Sequence, residues 1–243
     1  MEAIVYVGHG SKNVKRNKQF ISFINYSKQA IDYSVQEIGW LEFSEPKIKG
    51  AIEKCIKKGA TAIIVVPVFL LSGVHVKKDI PSQIIAAQKQ YPFLTIKVAN
   101  PLGVDSIMVE LLRGKFLEKN LATSNRKAIV LVSHGSRNRR ALKEFESLID
   151  LFREQANDQQ DVYSAYLKTN EPSLNEQLLH LIGTHKEVYV IPHFLFEGLV
   201  SKIEEIINDV LSEFVDKKII LCEPVGFDDN LKELIAKRIN EAK

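Results

Sequence analysis

The chain is written twice. Residues 4–20 read IVYVGHGSKNVKRNKQF and residues 129–145 read IVLVSHGSRNRRALKEF, which sets His9 and His134 125 positions apart. VVPVFLLSG (65–73) answers VIPHFLFEG (190–198) at the same offset of 125. Glu45-Pro46 answers Glu171-Pro172 at 126, and NPLGVD (100–105) answers EPVGFD (223–228) at 123. Four blocks in one order at a nearly constant offset mark a duplicated unit. The stretch from Glu118 to Lys127 is polar and lacks an apolar period, so it reads as a linker. The expected domains are residues 1–118 and 128–243.

Within each half, short apolar runs alternate with longer amphipathic stretches. Ala3–Val7 is a continuous apolar run ending at Gly8, the pattern of a strand buried on both faces. Strands are also expected at Val35–Phe43, Ala62–Phe69 and Thr95–Ala99. Helices are expected over Asn17–Ala30, from Pro46 with Ile48, Ile52, Cys55 and Ile56 inward, over Ile80–Gln90, and after Asp105. Phe20, Ile21, Ile24 and Tyr26 or Ala30 supply the first helix's stripe, and Pro46 suits the first turn of the second. Such alternation predicts an α/β architecture, a parallel sheet with helices on both faces in each half. The loops after the strands' carboxyl ends then share one edge, where ligands bind in sheets of this kind.

Composition narrows the function. Hydrophobic residues make up 45% of the 243, enough for buried cores. No apolar run approaches the roughly 20 residues of a membrane-spanning helix, and the opening MEAIVYVGHG carries no basic leader, so a cytoplasmic protein is expected. A net charge of +3 gives no reason to expect nucleic acid. The basic clusters at Lys12–Arg16 and Arg137–Arg140 are either solvated helix starts or an electropositive rim for an acidic small molecule. Cys55 and Cys222 lie far apart in apolar surroundings and form no CxxC motif, which makes them packing thiols.

Three elements fall at the expected ligand-binding edge. Gly8-His9-Gly10-Ser11 follows the first strand; its glycines let the backbone turn and leave the imidazole open. Leu70-Leu71-Ser72-Gly73-Val74-His75 brings a second histidine after the third strand. Leu41-Glu42-Phe43-Ser44-Glu45-Pro46 offers two carboxylates, either of which can instead cap the following helix. Two imidazoles and one carboxylate with vacant positions suit Fe(II), Co(II), Ni(II) or Zn(II) better than Mg(II) or Ca(II). Open coordination points to metal in transit or in chemistry.

VGHGS, EFSEP and PVFLLSGVHVKKDIP together resemble the sirohydrochlorin chelatases of siroheme and cobalamin synthesis, across essentially the whole chain. The duplicated arrangement resembles the family's long form. That resemblance implies two chelatase-like (flavodoxin-like) domains and insertion of a divalent metal into a sirohydrochlorin-like ring. It implies His9 as proton acceptor and metal ligand and His75 as metal ligand, both catalytic. Glu42 is implied as a third ligand, with the Leu70–His75 loop lining the ring pocket. Substrate contacts are then expected at Ser11, Lys12, Glu45, Leu70, Leu71, Ser72, Gly73, Val74 and Lys77, with Lys78 nearby. No tightly bound cofactor is expected; the metal is a substrate, Fe2+ or else Co2+ or Ni2+. The chain lacks the histidine-rich segment and cysteine cluster of some cobalt-associated relatives, which tilts the reading to iron and siroheme. Partners reduce to a tetrapyrrole and a divalent metal, with no nucleic acid, no membrane and a monomeric state. A cobaltochelatase and a non-catalytic tetrapyrrole or flavin carrier are the alternatives. A phosphotransfer histidine is disfavoured because Val7-Gly8 precedes His9 where an arginine–histidine–glycine context is needed.

The repeat supplies an internal control. His134 matches His9, but Lys168 falls opposite Glu42 and Val200 opposite His75. A lysine in place of a ligand carboxylate repels a dication. His193 aligns with Val68 on a strand, and His180 and His185 read as solvated residues near a helix end. The metal site is therefore expected in the first half alone.

Overall fold

The structure, a computed structural model, describes residues 1–120, 126–196, 198–214, 216–226 and 228–243. The core of the expected linker, residues 121–125, lies outside the described residues.

Each repeat builds a four-stranded, wholly parallel sheet. In the first, β1 (Glu2–Gly8), β2 (Gln36–Trp40), β3 (Ala62–Pro67) and β4 (Thr95–Val98) run in the order β2-β1-β3-β4. The helices between them are α1 (Val14–Lys28), α2 (Ile48–Lys57) and α3 (Ile80–Gln90), the last entered through a turn of π-helix at His75–Asp79. The second sheet repeats that order as β6-β5-β7-β8, from β5 (Lys127–Ser133), β6 (Gln160–Tyr166), β7 (Glu187–Pro192) and β8 (Lys218–Leu221). Its helices include α5 (Arg139–Glu154), α6 (Leu174–Ile182) and α7 (Val200–Glu213). The central strands are sealed on both faces, as their unbroken apolar runs require. One core packs Val5, Val7 and Val65 against Ile52 of α2 and Ile84 of α3. Its counterpart packs Val130 and Val190 against Leu178 and Ile203. Both cysteines are buried, and burial pushes both thiols up to about 12, so they act as packing groups.

Local corrections to the sequence reading have visible causes. β2 stops at Trp40 rather than Phe43. Beyond it the Leu41 and Glu42 amides donate to the carbonyls of Gly8 and His9 at 3.0 and 2.8 Å, carrying the chain over the end of β1. Pro46 lies outside the helix rather than in its first turn: α2 begins at Ile48 with Lys47 as its cap. The Pro46 carbonyl instead accepts from the Trp40 amide at 2.9 Å. On α1 the inward stripe is Phe20, Phe23, Ile24 and Ser27, while Ile21 and Tyr26 face out.

The compact units each draw on both repeats. One unit comprises Met1–Gly103 with Asp229–Lys243, the other Val104–Asp228. In the second unit α4 (Ser106–Lys119) packs on α5 and β7, with the Phe116 and Tyr189 rings edge to face at 4.9 Å. In the first, α8 (Asp229–Glu241) packs on β3, and the buried Arg238 guanidinium donates to the carbonyls of Pro101 and Leu102 at 2.9 and 2.6 Å. Each sheet is thus completed by the closing helix of the other repeat. Among the described residues no helix is long and apolar enough to cross a membrane.

Candidate functional site

In the order β2-β1-β3-β4 the chain leaves β1 towards one side of the sheet and β3 towards the other. Such a switch opens a crevice beyond the carboxyl ends of those two strands. His9 follows β1 directly, and His75 follows the loop that leaves β3.

The loop after β1 is fixed by contact with the turn after β2. Gly10 has φ +85°, and a Cβ there would lie 1.9 Å from the Glu42 carbonyl oxygen, so no other residue fits. The Asn17 side-chain amide donates to the Ser11 carbonyl at 2.7 Å and to the Ser44 hydroxyl at 2.8 Å, tying the two turns together. The Ser11 hydroxyl accepts from the Asn13 amide at 3.1 Å. His9 is thereby held on a clamped backbone with its ring exposed.

The two imidazoles meet. His9 Nε2 lies 3.3 Å from His75 Nε2, and the rings stand edge to face with centroids 4.7 Å apart. Each ring is anchored through its other nitrogen. His9 Nδ1 is 3.0 Å from the Gly10 carbonyl oxygen, which can only accept, so Nδ1 carries the proton. His75 Nδ1 is 2.7 Å from an Asp79 carboxylate oxygen, and the same assignment follows. Each Nε2 is then left with its lone pair. For bonds of about 2.0–2.1 Å at a tetrahedral angle, two nitrogens on one metal stand about 3.3 Å apart. The unliganded spacing already matches that of a bidentate imidazole pair.

Other expected residues divide. Glu42 is half-buried and joins through its backbone amide. Among the described residues no group of three or more His, Cys, Asp and Glu side chains is positioned to hold a metal, so Glu42 does not complete a triad with the imidazoles. The exposed Glu45 carboxylate accepts from the Lys47 amide at 2.9 Å, at the start of α2, the capping role also open to it in the sequence. Ser72 is buried, which removes its hydroxyl from a ligand-facing surface. The Leu70 carbonyl accepts from the Gly103 amide at 3.0 Å, while Leu70, Leu71 and Gly73 are half-buried. Val74, Lys12 and Lys77 are exposed.

Two residues of the site were missed. Asp79 lies one helical turn beyond His75, and the four-residue spacing was a usable signal. Phe43 gave no such signal, because it reads as the end of a strand. It adopts φ +53°, is 53% exposed, and its ring lies nearly parallel to that of His9 with centroids 6.1 Å apart. Lys12 Nζ sits 5.6 Å from the Phe43 ring centroid. A strained, exposed aromatic beside an open imidazole pair is a feature of binding surfaces.

The second repeat keeps the backbone and His134 but has no counterpart of His75. Gly135 has φ +89°, a Cβ there would lie 1.9 Å from the Lys168 carbonyl oxygen, and Thr169 repeats the positive φ of Phe43 at +71°. Val200 opens α7 where His75 opens the π-turn. Partial desolvation, then the Lys168 ammonium, hold His134 below the ordinary imidazole range. His193 is buried, stacks on Phe145 with centroids 5.5 Å apart, and among the described residues neither ring nitrogen has a partner. Burial lowers its pKa to about 4. His185 is not solvated as expected: it is buried, with Nε2 3.0 Å from an Asp161 oxygen. His180 is exposed.

Comparison with known proteins agrees with the duplication. The CbiX family model matches twice, at residues 3–119 and 128–242. The sirohydrochlorin ferrochelatase of Priestia megaterium is 31% identical over 242 residues, covering 98% of this chain and 90% of that protein. The sirohydrochlorin cobaltochelatase of Priestia megaterium is 28% identical over 247 residues, covering 99% and 80%. The solved structure of SirB from Bacillus subtilis with Fe3+ superposes with a TM-score of 0.91 at 29% identity, covering 99% of this chain and 95% of that one. Two copies of the family pattern, together spanning nearly every residue, place the chain in the CbiX family.

Proposed function

We propose that the protein is a sirohydrochlorin chelatase, inserting Fe2+ into the ring to make siroheme, with His9 and His75 as its reactive groups. The observation that carries this reading is the Nε2-to-Nε2 spacing of 3.3 Å, with Nδ1 of each ring engaged by another group. Insertion exchanges two pyrrole N–H protons for one dication. Pyrrole protons are weakly acidic, so a base and a Lewis acid must act at the same face of the ring. The metal is a substrate here, and the imidazole pair holds it loosely enough to surrender it to four ring nitrogens. Once the metal leaves, the freed His9 Nε2 accepts one of the two pyrrole protons and the freed His75 Nε2 can take the other, because each lone pair serves metal and proton in turn. The exposed Phe43 and Val74 give apolar surface to the flat macrocycle, and Lys12 and Lys77 give cations to its carboxylates.

Cobalt is the second reading of the same site, favoured by the similarity to a cobaltochelatase over 99% of the chain. Imidazole nitrogen alone discriminates poorly between the two ions. The duplicated chain supplies two sheets in one molecule, which supports a monomer.

The test is anaerobic incubation of the protein with sirohydrochlorin and Fe2+, Co2+ or Ni2+ at matched free metal, following ring absorbance. Multiple turnovers with a higher kcat/KM for Fe2+ support the proposal. A single stoichiometric spectral change without turnover makes the protein a tetrapyrrole carrier instead.

A further inference from the structure

Asp79 is the last residue of the π-turn, in helical conformation where that turn runs on into α3 without a break, and its side chain makes no bond to the helix amides. Its carboxylate turns back to His75 Nδ1 at 2.7 Å, across the π-turn His75–Asp79, and the turn closes with the Ile80 amide donating to the His75 carbonyl. Single π-turns of this kind concentrate at functional sites.

We infer that Asp79 is a positioning residue that fixes the His75 ring and its Nδ1–H tautomer, so that the Nε2 lone pair faces His9 across the metal gap. This rests on the chelatase reading above. An imidazole has one N–H in its neutral form, and whichever nitrogen donates to a neighbour leaves the other as the ligand. His9 is fixed by a carbonyl in its own clamped loop. His75 has no comparable backbone acceptor at Nδ1, and Asp79 supplies it. Remove that carboxylate and the ring is free to rotate and to place its proton on Nε2. There it blocks the lone pair and meets the lone pair of His9, a hydrogen bond that closes the gap a metal would enter. A carboxylate behind a ligating imidazole also makes it a stronger electron donor.

The experiment uses the full chain as wild type, Asp79→Ala and Asp79→Asn. Co2+ affinity is read from its visible absorption without tetrapyrrole, turnover from sirohydrochlorin metallation, and the His75 tautomer from ring-nitrogen NMR of the metal-free protein. Asp79→Ala is expected to lose roughly 10- to 100-fold in Co2+ affinity and kcat/KM while the Nε2–H tautomer of His75 appears. Asp79→Asn keeps an acceptor oxygen and falls between, with Nδ1–H retained. Asp79→Leu, close in shape and without an acceptor, repeats the test if the alanine variant does not fold. The inference is overturned if removing the acceptor costs nothing, or costs turnover while His75 stays protonated on Nδ1. A wild-type protein that binds no Co2+ and metallates nothing sinks the chelatase reading instead, and the tautomer comparison still reports on Asp79.

Discussion

His9 Nε2 and His75 Nε2 stand 3.3 Å apart although 66 positions separate the two residues in the chain. Neither ring is buried, so the pair is held by anchors at the opposite nitrogens rather than by packing. His9→Ala and His75→Ala should each fold normally and lower metallation by at least about 100-fold, the usual loss when a positioned acid–base group is removed. His134→Ala should keep wild-type turnover, since Val200 stands where a second imidazole would be needed and Lys168 repels a dication. Initial rates on the three variants check this; an inactive but folded His134→Ala protein would move part of the chemistry into the second repeat.

Gly10 and Gly135 make a matched pair of backbone tests. Each has a left-handed φ, and each would drive a Cβ to 1.9 Å from a carbonyl oxygen of the neighbouring turn. Backbone cannot yield that far without opening the clamp. Alanine at either position should destabilise by at least about 1–3 kcal/mol. Gly10→Ala should also abolish metallation, because His9 is the residue before it. Gly135→Ala should lower the melting temperature while leaving kcat in place. Equal loss of activity in both variants would show that the second loop also positions a reactive group.

The offset of the repeat made the architecture legible, since strands, helices and both glycine turns recur at nearly constant spacing. The exchange of α4 and α8 was not legible. An amphipathic helix shows the same periodicity whichever sheet it covers, and only packing decides that. His9 and His75 could be found because glycine-containing loops at strand ends carry them. The site's shape could not. Glu42 reads as a ligand because it is a carboxylate at the right edge, while the bond of its backbone amide to the His9 carbonyl has no signal in the sequence. Phe43 looked like strand because aromatic residues favour strands, and its positive φ is set by a turn that local propensity does not encode.

That turn sets stability against binding. Phe43 and Thr169 hold equivalent places, both with positive φ and both without the excuse of being glycine. Phe43→Gly should relieve about 1 kcal/mol or more of backbone strain and raise the melting temperature. It also removes the aromatic surface beside His9, so KM for the tetrapyrrole should rise several-fold with a smaller change in kcat. Thr169→Gly should give a similar thermal gain with KM unchanged. A Phe43→Gly enzyme with wild-type KM would remove Phe43 from the binding surface.

His193 gives the protein an acid-sensitive core. Its ring is buried without a partner among the described residues, and burial lowers its pKa to about 4, against about 6.5 in an unfolded chain. The native state therefore holds it neutral. Below about pH 6.5 the unfolded chain binds a proton that the folded chain refuses, so stability falls as pH drops and stops falling from this cause near pH 4. Integrated across that window, one such group accounts for on the order of 3 kcal/mol. Val68 fills the matching place in the first repeat. His193→Val should flatten the decline in stability between about pH 7 and about pH 4.5, whatever its cost at neutral pH from the space left beside Phe145. Urea midpoints measured at both pH values on the two proteins decide it: equal slopes against pH would mean that the ring is reached by solvent or finds a partner on protonation.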